Sequence, residues 1–205
     1  AINHLFALLR IAKKERIRDV YLHLFTDGRD TGPRSSISLL KKCLQQIKRT
    51  GVGTIATLAG RHCAMDRIER WGRVGGVHTA IAQGIGNYYH DPLKALRYYH
   101  EQGITDSFIP PTVLTNEKGK PSAVVGSRDT IIFFNLRSDR ARALTKTFVK
   151  PNEFGNGSHT NRFKDVHFVT LTNFGEDLAV HTMYDNSHIS DTLPEVLSYA
   201  DHIQQ

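Results

Sequence analysis

Three stretches of the chain concentrate arginine beside aspartate. They are Thr26-Asp27-Gly28-Arg29-Asp30, then Gly60-Arg61-His62-Cys63-Ala64-Met65-Asp66-Arg67, and Asn135-Leu136-Arg137-Ser138-Asp139-Arg140-Ala141-Arg142. Arginine presents its donors in a planar fork that matches two oxygens of a phosphate or carboxylate. Several forks around one pocket can neutralise a phosphate dianion and hold a second acidic group in register. The interleaved carboxylates then orient the guanidinium groups, or one of them serves a substrate hydroxyl as general acid or base. A single Arg after a strand is ordinarily a solvated or salt-bridged surface residue, and Asp-Gly after a strand is ordinarily a turn. Three segments with the same chemistry favour a site for a small phosphorylated acid.

Each segment follows an apolar, β-branched run that reads as a buried strand: Val20–Phe25, Thr54–Leu58 and Thr130–Phe134, with a fourth run at His167–Leu171. Near-continuous apolar character suits parallel strands covered on both faces. Ligands of such sheets bind at the carboxyl ends of the strands, where loops and helix N-termini converge. If the strands are neighbours, the three loops share one rim.

Helical periodicity covers Ile2–Lys14, then Ser35–Gly51 with a serine start and a glycine stop. Further helices are expected over Arg67–Gln83, Pro92–Gln102, Ser138–Thr147 and Leu193–Ala200, with Pro92 and Pro194 in first turns. Alternating strands and helices argue for an α/β domain, a mainly parallel sheet with helices on both faces. Thr112–Val125 reads as a small β-hairpin arm around Asn116-Glu117-Lys118-Gly119-Lys120. Pro151–Asn161, rich in Gly, Asn, Ser and His, reads as a mobile loop.

Other chemistries find little footing. No pair of the 11 His residues has His-x-x-x-His spacing, and no phosphate loop or Gly-x-Ser-x-Gly occurs. His23, inside a strand, reads as a hydrogen-bonded core histidine, and His159, His181 and His188 fall in expected loops. Trp71 with Tyr88, Tyr89, Tyr98 and Tyr99 reads as core packing rather than base stacking. Cys43 and Cys63 show no metal or redox spacing, which suits a reducing, cytoplasmic setting. No apolar run approaches the roughly 20 residues that cross a bilayer. No membrane partner is expected. The net charge of +7 points to an anionic partner, and 16 of the 27 basic residues are Arg, which leans toward bidentate anion recognition. At 205 residues one core, and at most two domains, is expected.

At the three rims the sequence closely resembles the cofactor-independent phosphoglycerate mutases. The resemblance rests on Thr26–Pro33, on Gly60-Arg61 with Ala64-Met65-Asp66-Arg67 and Arg70-Trp71, and on Phe133–Arg142. It runs from Ile2 to about Phe148, with a weaker echo at Asp191–Ser198. It implies a two-domain, monomeric enzyme that interconverts 3-phosphoglycerate and 2-phosphoglycerate. A phosphatase-like domain, related to alkaline phosphatase, holds two divalent metals, usually manganese, and a transiently phosphorylated serine. The inserted transferase domain grips the substrate. Residues 1–205 resemble that transferase domain alone, a piece of a larger enzyme with no metal site of its own and no expected activity alone.

The same resemblance implies substrate binding by Arg29, Asp30, Arg61, Arg67, Arg137 and Arg140. Asp30 would touch the glycerate hydroxyls as the candidate for proton transfer. His62-Cys63 stands where many members carry two tyrosines, and Ser138 replaces a common proline. A basic nucleic-acid-binding module is the main rival, but aspartates among the arginines would repel a polyanion. A phosphopentomutase is a third reading, against which the Asp-Gly-Arg-Asp motif argues.

Overall fold

The computed structural model describes residues 2–153, 163, 165–184 and 190–199. Helix α1 (Ile2–Lys14) buries Leu5, Leu9 and Ala12 at the spacing of one helical face. Strand β1 (Tyr21–Thr26) leads into helix α2 (Ser36–Thr50), which buries Leu40 and Cys43 and ends at Gly51 with φ of 70°. The expected serine cap is not made: the Ser35 side chain caps nothing. The Ser36 N–H is instead taken by the carboxylate of Asp106, 2.8 Å away and 70 residues on. A charged acceptor at the positive end of a helix stabilises that end directly.

Strand β2 (Thr54–Gly60) runs directly into one helical turn, α3 (Arg61–Ala64). Helix α4 (Trp71–Gln83) starts four residues later than periodicity predicts. The Asp66 carboxylate accepts the N–H groups of Ile68 (3.1 Å) and Arg70 (2.9 Å), which favours a loop over a helical turn. After α4 come strand β3 (Asn87–Tyr89) and helix α5 (Pro92–Glu101), whose Asp91 cap accepts from Leu93 and Lys94 N–H. A 3-10 turn at Asp106–Phe108 precedes strand β4 (Thr112–Leu114). The remaining elements are β5 (Thr130–Phe133), α6 (Ser138–Val149), β6 (His167–Thr172), β7 (His181–Tyr184) and α7 (Leu193–Tyr199).

The strands form two sheets rather than one. The first has the order β1-β2-β4-β3, parallel except where β4 runs against β2; the second, β5-β6-β7, is wholly parallel. One core lies under α1, α2 and α5, where Leu9, Leu40 and Leu96 meet Leu22, Ile55 and Leu58 of the first sheet. On its other face Ala59 joins a second core, built from α4 and α6 with Phe133 of β5 and Phe168 of β6. Ala56 is the extra residue where the β1–β2 register shifts, so Ile55 and Leu58 reach the same core despite their odd spacing.

Three further expectations change. The hairpin arm shrinks to a single bridge, Thr115 to Pro121, because Thr112–Leu114 is drawn into the first sheet. His181 lies in β7, its ring stacked 4.3 Å from that of His167. Tyr99 is buried with Tyr89 against it, but Tyr88 and Tyr98 are exposed, since α5 and the edge strand β3 leave one side open. Of the expected mobile loop only Pro151–Glu153 is described, as a 3-10 turn; its remainder, with His159 and His188, lies outside the described residues.

His23 behaves as the sequence suggests: its Nδ1 is hydrogen-bonded to Thr57 Oγ1 at 2.9 Å. Burial pushes its pKa down from 6.5 to about 4. The unfolded chain therefore takes up a proton that the folded one refuses as the pH falls between these values. Stability should drop by about 3 kcal/mol from pH 7 to pH 4 on this account alone. Denaturant melts across that range should show this loss in the native protein and not in His23→Gln.

Candidate functional site

The first two arginine loops rest on one floor, the segment around Asp106. Thr26 and Gly60 are partners at the ends of β1 and β2. Thr26 Oγ1 donates to the Asp106 carbonyl at 2.6 Å, and Ser107 Oγ donates to the Asp27 carbonyl at 2.6 Å. Gly60 N–H donates to Ile109 O at 2.7 Å, an approach so close that a Cβ at position 60 would stand 2.5 Å from the Ser107 carbonyl oxygen. Gly28, with φ of 70°, is equally hemmed in, because its Cβ would lie 2.8 Å from that of Asp106. The Asp106 side chain has no exposed surface. It accepts from Ser36 N–H, from Ser36 Oγ and from His100 Nε2 at 2.7 Å.

Above that floor the charges interlock. Arg61 is only 8% exposed, and its Nη1 donates to both Asp27 Oδ1 and Asp30 Oδ2, the latter at 3.0 Å. Burial works against the Arg61 charge, yet the two carboxylates outweigh it and the pKa lies above the ordinary value. The same hydrogen bond from Arg61, reinforced by the charges of Arg29 and Arg137, holds the Asp30 carboxyl below the usual range. Asp139 is shared: its Oδ2 lies 2.9 Å from Arg67 Nε and its Oδ1 2.7 Å from Arg137 Nε. The Arg137 bond keeps Asp139 below the usual carboxyl range.

Arg140 is the exception. Its Nη1 reaches the Met65 carbonyl at 3.3 Å, while its Nε is buried with no partner. Burial, followed by repulsion from Arg61, Arg67 and Arg137, holds its pKa below the ordinary arginine value. A buried donor among like charges is stabilised by an incoming anion.

The family described as the BPG-independent PGAM N-terminus matches residues 1–176. The chain belongs to that family. A 2,3-bisphosphoglycerate-independent phosphoglycerate mutase of Methanococcoides burtonii is 41% identical over 198 residues, which cover 96% of this chain and 38% of the relative. A phosphoglycerate mutase of Leishmania mexicana, solved at low cobalt concentration, shares the fold with a TM-score of 0.85 at 22% identity, over 97% of this chain and 38% of that one. The chain therefore spans well under half the length of both.

In this BPG-independent PGAM N-terminal chain, Arg29, Arg61, Arg67 and Arg140 line one cleft of about 550 Å³. Asp30 and Arg137 do not line it; each is tied to a residue that does, Asp30 directly to Arg61 and Arg137 through Asp139 to Arg67. The third loop arrives by a different route from the one expected. It follows β5, which lies in the other sheet, and packing of α6 on α4 brings it to the cleft. Arg70, Arg73 and Ser107 also line the cleft. The spacing of Arg67, Arg70 and Arg73, three residues apart, was a legible signal for the first two; nothing in the sequence marks Ser107, which arrives on the connection after α5.

The site does not fit a divalent metal. Among the described residues no three His, Cys, Asp or Glu side chains gather as ligands. Asp27, Asp30 and Asp139 all face guanidinium groups.

Replacing Asp106 by Ala should strip partners from Ser36 and His100 and destabilise the fold by about 3–5 kcal/mol. Ser36→Ala, which leaves the backbone bond in place, should cost about 1 kcal/mol. Urea melts of both variants test this order.

Proposed function

We propose that this chain is the transferase domain of a 2,3-bisphosphoglycerate-independent phosphoglycerate mutase. Its cleft takes 2- and 3-phosphoglycerate. The observation that carries this reading is the buried, unpartnered Nε of Arg140 in an arginine cluster in which Arg61, Arg67 and Arg137 are tied to carboxylates. A phosphorylated acid supplies two anionic groups at the spacing such a cluster can grip. The nucleic-acid reading gains nothing from this geometry, since the arginines converge on a cleft with aspartates among them.

In this reading Arg67, Arg137 and Arg140 take the anionic groups, while Arg29 and Arg61 close the other side. Asp30, kept ionised by Arg61, accepts a hydrogen bond from a glycerate hydroxyl. Its low pKa makes it an orienting group first. It becomes a better proton acceptor only when bound phosphate draws off the Arg61 charge. The cleft holds the glycerate while the phosphoryl group leaves and returns to the other hydroxyl. The serine that carries the phosphoryl group, and two divalent metal ions with manganese favoured, belong to a phosphatase-like part outside this chain. A cytoplasmic, monomeric enzyme completes the reading, and the free thiols of Cys43 and Cys63 suit a reducing compartment.

In the full-length enzyme, Arg61→Ala or Arg137→Ala should lower kcat/KM by about ten- to a hundredfold, the worth of one charged hydrogen bond. A loss under threefold would count against the assignment. The 205-residue chain alone should show no mutase turnover in a coupled assay. Turnover by a preparation free of contaminating mutase would overturn the division of labour.

A further inference from the structure

Two side chains outside the cleft bear on its arginines. Glu69 lies between Arg67 and Arg70 with a left-handed backbone, φ of 53°. A non-glycine residue keeps that conformation where its surroundings enforce it. Asp66 pins the backbone on either side through the Ile68 and Arg70 N–H groups, and one contact anchors the side chain: Glu69 Oε1 lies 2.6 Å from Lys146 Nζ. Lys146 is buried in the second half of α6, and a buried ammonium persists only when paired. Its second carboxylate, Glu153, is 3.6 Å away and is itself held by Lys150 at 3.1 Å.

The same helix touches the same loop once more. Asp139, in the first turn of α6, bonds Arg67 Nε at 2.9 Å. Helix α6 thus grips the Asp66–Arg70 loop at two points. The two grips differ in kind. Asp139 is 37% exposed and is shared with Arg137, so an anion offering oxygens to Arg67 and Arg137 competes with it directly. Lys146 is 10% exposed at the side chain, and neither it nor Glu69 lines the cleft.

We infer that Lys146 and Glu69 are positioning residues. Their ion pair keeps the arginine loop in place while the bound anion takes Arg67 and Arg137 from Asp139. This rests on the phosphoglycerate reading for its substrate, and on anion binding alone for its physics.

The test uses the full-length enzyme with Lys146→Met, Glu69→Gln, the double variant and Lys146→Arg. Each single variant should raise KM for phosphoglycerate about tenfold and change kcat less than threefold. The double variant should be no worse than either single one, because the two groups act as one unit. Lys146→Arg, which retains the pair, should recover most of the loss, an outcome a purely structural role does not require. Calorimetric titration with inorganic phosphate should weaken by a similar factor, without any turnover. KM shifts under twofold, losses that multiply in the double variant, or an arginine variant as poor as the methionine one would each overturn the inference. Should Lys146→Met fail to fold, Glu69→Gln, at a more open position, carries the test. A wild-type enzyme that binds phosphate but lacks mutase turnover sinks the proposed reaction only, and the phosphate titrations then decide this inference. No phosphate binding at all sinks both.

Discussion

A carboxylate with no exposed surface is tolerable only if its lone pairs are used, and Asp106 meets that condition by reaching across the fold. Its partners are the first N–H and hydroxyl of α2 and the imidazole of His100 at the end of α5. Its own carbonyl takes the hydroxyl of Thr26 at the end of β1. One residue therefore fixes two helix ends through its carboxylate and the mouth of a strand through its carbonyl. The loops bearing Arg29, Asp30 and Arg61 begin where this assembly stops. Their geometry inherits its rigidity.

On that base the charge pattern follows from the cost of crowding cations. Arg61 is buried and draws two aspartates, while Arg67 and Arg137 divide one. Arg140 has no carboxylate partner and keeps an unused donor. The aspartates act as internal counter-ions. They let the arginines stay folded together, and the more exposed of them can yield to an external anion.

Much of this was legible from residue types. Long apolar runs such as Thr54–Leu58 fixed their own state, and the arginine–aspartate clusters marked in advance the loops whose arginines gather at the cleft. What escaped was set by partners distant in the chain. Ser35 looked like a cap, yet the helix start is held by Asp106, 70 residues beyond Ser36, through the Ser36 N–H. Residues Arg67–Arg70 looked helical until the Asp66 carboxylate captured two of their N–H groups. Three-residue strands such as Asn87–Tyr89 carry too little pattern to be read alone, and β7 hid behind a polar start at His181. The split into two sheets was invisible because strand runs state their burial and not their neighbours.

The tight contact at Gly60 has an evolutionary side. With the Ser107 carbonyl 2.5 Å from where a Cβ would sit, the floor of the cleft and the interior of the domain are one piece of backbone. Drift in the β1 and β2 loops is therefore policed by folding itself, whatever the ligand. The loop before α4 and the first turn of α6 rest on side-chain ion pairs instead, and those can be exchanged one at a time. New specificities in this fold should arise on that half of the rim, where change is cheap, and leave the other half as its fixed jaw.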